Sequence, residues 1–283
     1  MSERLLGKEV NAKLNEELKL EVEKLKQQNI VPTLATIRVG ENESDISYER
    51  GATKKCETLG INIKKYVLPK DITQEELIQL IHEVNEDDNI HGVLLFRPLP
   101  SHLNQYEIEN ELLPTKDVDC MTESSIGAVF TGKNIGYPPC TPHACVKILE
   151  HYNIDCTGKK VVVIGRSLVV GKPLAMMMLN KNATVTMCHT KTNDMPKEAR
   201  EADILIVAAG HVNTVTKDFV KEGQIVIDVG INVNEEGKLC GDVVFDEVSD
   251  IVKAITPVPG GVGSVTTTVL AEHVIQACKR QNL

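Results

Sequence analysis

The first stretch with a clear period is residues 8–29, where Val10, Leu14, Leu18, Leu20, Val22 and Leu25 recur at mostly helical spacing among Glu and Lys until Pro32 ends the pattern. An amphipathic helix is predicted there. Residues 32–39 (P-T-L-A-T-I-R-V) read as a strand, 40–45 as a polar loop, and 47–59 as a helix weakened by Gly51 near its middle. A second strand at 62–68 leads to Thr73-Gln74-Glu75-Glu76, a capping box opening a helix that carries Leu77, Ile78, Ile81 and Val84. Residues 91–96 give the next strand.

Further on, G-K-K-V-V-V-I-G-R-S-L-V-V-G-K-P at residues 158–173 is a β-branched run closing on a glycine. It predicts a strand buried on both faces of a parallel sheet and turning tightly into a helix, with Pro173 in the first helical turn. Gly165 and Gly171 are expected to let the backbone approach a ligand, and the amides at the helix start to face a phosphate. The spacing is not G-x-G-x-x-G, so nucleotide binding and an ordinary tight turn are both open from these residues alone. Upstream, Thr141-Pro142 is expected to cap a helix over 144–152. Downstream, short apolar strands are predicted at 183–188, 203–208, 224–229 and 252–256, then P-V-P-G-G-V-G at 257–263 and a last helix over 266–280.

Strand alternating with helix predicts an α/β fold of two three-layer domains, the second Rossmann-like. The expected division is residues 1–140, with 265–283 packing back on them, and residues 141–264. In open α/β sheets ligands settle at the carboxyl ends of strands, which points to the loops at 40–47, 97–100 and 116–119.

Composition narrows the function. The 283 residues carry 31 Lys and Arg against 40 Asp and Glu, a formal charge of −9, which argues against a nucleic-acid surface. Aromatics are 3% with no Trp, so stacking surfaces for RNA are not expected. No apolar run reaches signal-peptide or membrane-spanning length, so a cytoplasmic protein without membrane attachment is expected. The eight cysteines lack the spacing of a disulfide framework. Cys140, His143 and Cys145 lie close together but have no second cluster to complete four metal ligands, and are read as structural.

Four motifs in one order, K-D-V-D (116–119), P-C-T-P (139–142), G-R-S-L-V-V-G-K-P (165–173) and P-V-P-G-G-V-G (257–263), closely resemble the methylenetetrahydrofolate dehydrogenase/cyclohydrolase family. C-H-T-K-T (188–192), D-V-G (228–230) and G-D-V (241–243) extend the resemblance over essentially the whole chain. It implies a folate cleft between the domains, NADP (with NAD as the alternative) on the second, and a homodimer built through that domain. Two reactions are implied: hydride transfer from methylene-tetrahydrofolate to a nicotinamide, then hydrolysis of the methenyl cation. The first needs chiefly alignment of donor and acceptor, the second a positioned acid/base group.

By the same resemblance Tyr48 and Asp119 are the catalytic-domain site residues. Tyr48 is assigned to stack on the folate or to fill the helix face, and Asp119 to hold the pterin edge or to cap a loop. Leu99, Pro100, Pro259, Gly260 and Gly261 are implied to line the substrate site. Gly165, Arg166, Ser167, Gly171 and Thr190 are implied to bind the cofactor, with Arg166 and Thr190 at the ribose phosphate. Asp228 is either a cofactor contact or a strand-end cap.

The departures from the family set the functional expectation. Ala52 stands where the family has its hydrolytic Lys, and Phe96 where it has the supporting Gln. Cys120 replaces a glycine, and Ser264-Val265 replaces Pro-Met. A dehydrogenase with impaired cyclohydrolase activity is therefore expected. Two alternatives stay open: Lys55, about 10 Å beyond Tyr48 along the helix axis, acting as substitute base, or a non-catalytic binding paralogue.

Overall fold

The computed structural model describes residues 2–282. The chain divides into two compact units, each assembled from two stretches. The first runs from Lys13 to Cys140 and takes in the C-terminal segment from Thr267; the second is Thr141–Thr266 with the N-terminal segment through Ala12.

The first unit holds a parallel three-stranded sheet in the order Asn62–Leu68, Thr33–Val39, Gly92–Leu95. Its central strand is buried along most of its length because both faces are covered. Ala35, Ile37, Val93 and Leu95 point to one side and pack with Leu77, Ile81 and Val84 of helix Gln74–Glu86. Alternation then sends Leu34, Thr36, Arg38, Leu94 and Phe96 to the other side. The helix Glu43–Leu59 buries Glu49, Ala52, Cys56 and Leu59, a stripe at helical spacing. Asn42 caps that helix by accepting the Ser44 amide, and Gly60 ends it in the left-handed conformation (φ 78°). The expected capping box forms in full between Thr73 and Glu76. Gly92 is needed where the C-terminal helix Thr266–Asn282 approaches, since a Cβ there would stand 2.6 Å from Val118 Cγ1 and 3.2 Å from Val274 Cγ2.

The second unit is a parallel six-stranded sheet in the order Glu3–Arg4, Ala254–Ile255, Ile225–Asp228, Ile204–Val207, Lys160–Ile164, Thr184–Cys188. The run Val161 to Ile164 is wholly buried, as its composition requires. One expectation is corrected here. The N-terminal segment, assigned from sequence to the first domain, pairs Glu3 with Ala254 and Arg4 with Ile255 and so belongs to the second unit. A strand of two residues has no period to read. The helix expected from Thr141 begins at Cys140, which places Thr141 and Pro142 inside its first turn rather than ahead of it. A short antiparallel hairpin, Asn232–Val233 against Leu239–Cys240, follows the third of the predicted downstream strands.

Candidate functional site

In the first unit the residues around Tyr48 are set by one helix face and two strand ends. Tyr48 is 36% exposed and meets the Phe96 ring edge-on, with centroids 6.2 Å apart at 77°. Ala52 is 0% exposed on the buried stripe of the same helix. Lys55, the candidate substitute base, donates from Nζ to Asn15 Oδ1 at 3.1 Å on helix Gly7–Gln27. Burial pulls its ammonium below the usual lysine range, but the hydrogen bond commits it to Asn15. At the two positions where the resemblance implies a Lys and a Gln, this chain places a methyl group, Ala52, and a phenyl ring, Phe96.

The four residues of K-D-V-D divide by role. Lys116 is buried and donates to the carbonyls of Val84 and Asp87, closing the end of helix Gln74–Glu86. Asp117 is 0% exposed and accepts from the Met121 and Thr122 amides and the Thr122 hydroxyl. Both are structural, which removes them from the ligand-lining loop expected at 116–119. Asp119 is half-buried, and its Oδ1 accepts the Cys140 amide at 3.1 Å. Burial raises its carboxyl above the usual range, while Cys140 and the Arg97 charge pull it down. Cys120 holds φ 59°, a conformation that costs a side-chain-bearing residue and suits the glycine it replaces. Leu99 is fixed by its amide donating to Gln105 Oε1 at 3.0 Å, and Pro100 beside it is half-buried. Arg97 pairs with Glu109 at 3.0 Å, and Gln105 also donates to Glu109, so this loop is braced from the short helix Gln105–Asn110.

In the second unit the glycine turn is explained by the protein's own backbone. A Cβ on Gly165 (φ 124°) would stand 2.2 Å from the Ala208 carbonyl oxygen, and one on Gly171 would stand 2.3 Å from the Gly165 carbonyl oxygen. Both glycines let the turn close on itself and on the neighbouring strand, whatever approaches from outside. Ser167 Oγ accepts the amides of Val170 and Gly171 at 3.1 and 3.4 Å, so two amides expected to face a phosphate already have a partner. The parallel register pairs Ile164 with Cys188, which carries Arg166 and Thr190 out side by side, each two residues past the last pair and each exposed. A guanidinium and a hydroxyl at adjacent strand ends fit a phosphate dianion.

Pro259, Gly260 and Gly261 line a cavity of about 270 Å³ with Asp228, Ile231 and Ser264. Gly260 adopts φ 101°, and a Cβ on Gly261 would stand 2.5 Å from the Pro257 carbonyl oxygen. Asp228 is 3% exposed, and its carboxylate accepts from the amides of Gly230, Asp242 and Val243. Its observed role is the strand-end cap. Two features escaped sequence reasoning: the buried Arg38–Glu49 pair beneath the Tyr48 helix, and Asp242, whose carboxylate accepts from Ala209, Gly210 and Asn232. A polar residue at the buried phase of the 32–39 strand and another beside Tyr48 were the available signal for the first.

Two family models match the chain: the tetrahydrofolate dehydrogenase/cyclohydrolase catalytic domain over residues 5–119 and the NAD(P)-binding domain of the same name over residues 139–282. The chain is 53% identical over 276 residues to a bifunctional protein FolD of Clostridioides difficile, covering 98% of this chain and 96% of that one. The crystal structure of a bifunctional FolD from Campylobacter jejuni superposes with a TM-score of 0.96 at 45% identity, covering 99% of each chain. That of a Trypanosoma brucei enzyme of the same kind, complexed with NADP cofactor and inhibitor, gives 0.92 at 32% identity over 99% of this chain and 98% of that one.

Proposed function

The chain belongs to the tetrahydrofolate dehydrogenase/cyclohydrolase family, and we propose that it oxidises methylene-tetrahydrofolate to methenyl-tetrahydrofolate with NADP as acceptor while contributing little to the hydrolysis that follows. The methylene carbon lies between two nitrogens whose lone pairs stabilise the cation left when hydride departs. Removal of hydride therefore calls on the protein for alignment rather than for a base. Bound NADP supplies the electron-pair acceptor. Tyr48 offers an aromatic face to the folate ring, Asp119 a carboxylate for its amino-pyrimidine edge, and Leu99, Pro100, Pro259, Gly260 and Gly261 the apolar and backbone lining. Arg166 and Thr190 receive the ribose phosphate, with the turn through Gly165, Ser167 and Gly171 setting their position.

Hydrolysis is different because water must add to the cation and a proton must leave. The observation that carries the proposal is the replacement of both hydrolytic positions by apolar side chains, Ala52 at 0% and Phe96 at 8% exposed. Lys55 is held by Asn15 instead of filling that space. The family's usual homodimer is part of the proposal, supported by the exposed apolar side chains Ile231, Val233 and Leu239 on and beside the hairpin of the second unit. No helix among the described residues is long and apolar enough to cross a membrane.

The test is to incubate the protein with methylene-tetrahydrofolate and NADP and follow reduced nicotinamide and methenyl absorbance together. Both are expected to rise in step, with methenyl then decaying at the rate of enzyme-free buffer. Faster decay would restore the bifunctional reading, and its loss in Lys55→Met would identify the base. An absence of reduced nicotinamide with either NADP or NAD would leave a binding protein.

A further inference from the structure

Beneath the helix that carries Tyr48 lies a polar cluster that the proposed reaction does not use. Thr36, Arg38 and Glu49 are 0%, 7% and 5% exposed. Thr36 Oγ1 donates to Glu49 Oε1 at 2.6 Å, Arg38 Nε lies 3.6 Å from Glu49 Oε2, and Arg38 Nη1 donates to the Gly40 carbonyl. At 3.6 Å the Nε is beyond hydrogen-bond reach, and it has no hydrogen-bond partner. A buried ion pair of this kind is commonly no more stabilising than apolar side chains of similar volume, so stability alone gives no reason for it.

Its neighbours suggest the reason. The register pairs Ile37 with Leu95, and the Phe96 amide donates to the Ile37 carbonyl at 2.9 Å. Arg38 and Phe96 are thus the next pair outward, on the face that meets the helix, and Phe96 is the ring against which Tyr48 rests. Glu49 follows Tyr48 directly and precedes Ala52 by one turn on the same buried stripe. The Gly40 carbonyl belongs to the loop that enters the helix, whose cap is Asn42. One guanidinium therefore ties the strand end, the entering loop and the first turns of the helix together.

We propose that Arg38 is a positioning residue: clamped by Glu49 and the Gly40 carbonyl, it fixes the Gly40–Asn42 loop and Tyr48 for folate. The inference rests on the folate reading of Tyr48. A guanidinium keeps its proton at ordinary pH, so this clamp organises the site without offering the proton exchange that a lysine would. The geometry is compatible with alignment for hydride transfer and adds nothing to hydrolysis.

The experiment compares wild type with R38M/E49L, which removes both charges and leaves neither buried alone, and with R38K, which keeps one cation without the planar fork. The protein is labelled with 3-fluorotyrosine, and the Tyr48 resonance is identified by its absence from Y48F. Expected for R38M/E49L are a melting temperature within about 4 °C of wild type, a shifted or broadened Tyr48 fluorine line, and a KM for methylene-tetrahydrofolate raised about tenfold with KM for NADP within about twofold. R38K should recover part of the folate KM and part of the line shape. If R38M/E49L does not fold, R38K carries the same comparison. A Tyr48 line and folate KM unchanged in a folded variant overturn the clamp. If the wild type proves unable to oxidise the folate, that failure belongs to the proposed function, and the ligand-free fluorine spectra still decide whether Arg38 fixes Tyr48.

Discussion

Asp228 ends its strand with its carboxylate turned back on the chain. Oδ1 accepts the Gly230 and Asp242 amides at 3.0 and 3.1 Å, and Oδ2 accepts the Val243 amide at 3.0 Å. Burial is the largest influence on its proton and pushes the carboxyl up to about 6, against the pull of the three amides and with help from the Asp242 charge. An unfolded Asp titrates near 3.9. Between those values the folded protein holds a proton that the unfolded chain has released, so the Asp228 contribution to stability grows as pH falls through that window and is lost as pH rises through about 6. The full span is about 3 kcal/mol. Asp228→Asn should remove this pH dependence and should also lower stability at pH 7 by about 1–3 kcal/mol, because an amide offers one acceptor oxygen to three amide donors and sets an NH2 against the rest. Urea unfolding of both proteins at pH 7 and pH 5 measures it. Equal changes for wild type and variant between the two pH values would show that Asp228 is not the group responsible.

At the scale of elements, the helix Glu43–Leu59 contains a residue that works against it. Gly51 is exposed, and a Cβ built there meets nothing within 4 Å. Gly51→Ala should therefore stabilise the protein by about 1 kcal/mol, seen as a higher urea midpoint at unchanged slope. A lower midpoint would show that the helix needs the freedom of glycine at that point. The weak spot was legible in the sequence, as were the strand at 62–68 and the capping box, because each has a local chemical signature. The helix start was not: the polar residues Glu43, Ser44 and Asp45 open the helix before any apolar period begins. Among the proposed site residues, Tyr48, Asp119, Arg166 and Thr190 were suggested by ordered motifs. The Arg38–Glu49 pair was not reached, because its partners lie 11 residues apart on different elements and only the strand phase joins them. The packing reason for Gly165 was hidden in a similar way, since the Ala208 carbonyl that excludes a side chain comes from another strand end.

For the whole molecule, the order of the chain and the order of its parts differ, and the N-terminal segment is where the difference has a measurable consequence. Leu5 is 0% exposed in the second unit, its amide donates to the Ile255 carbonyl at 2.9 Å, and the Leu6 amide donates to the Tyr152 hydroxyl at 2.7 Å. The Gly7 amide reaches the Gly260 carbonyl at 2.9 Å, and a Cβ on Gly7 would stand 2.1 Å from Ser264 Oγ. These few residues brace the segment that contains Pro259, Gly260 and Gly261. Leu5→Ala deletes buried apolar volume and should cost about 2–5 kcal/mol. Each unit has its own apolar core, one built on Ile37 and Leu95 and the other on Val162 and Leu205. The loss should therefore appear as faster amide hydrogen exchange in Ile225–Asp228 and Ala254–Ile255, with Thr33–Val39 retaining its protection. If the substitution instead speeds exchange equally in both sheets, the two units unfold as one, and the N-terminal strand is a brace for the entire chain rather than for the unit it completes.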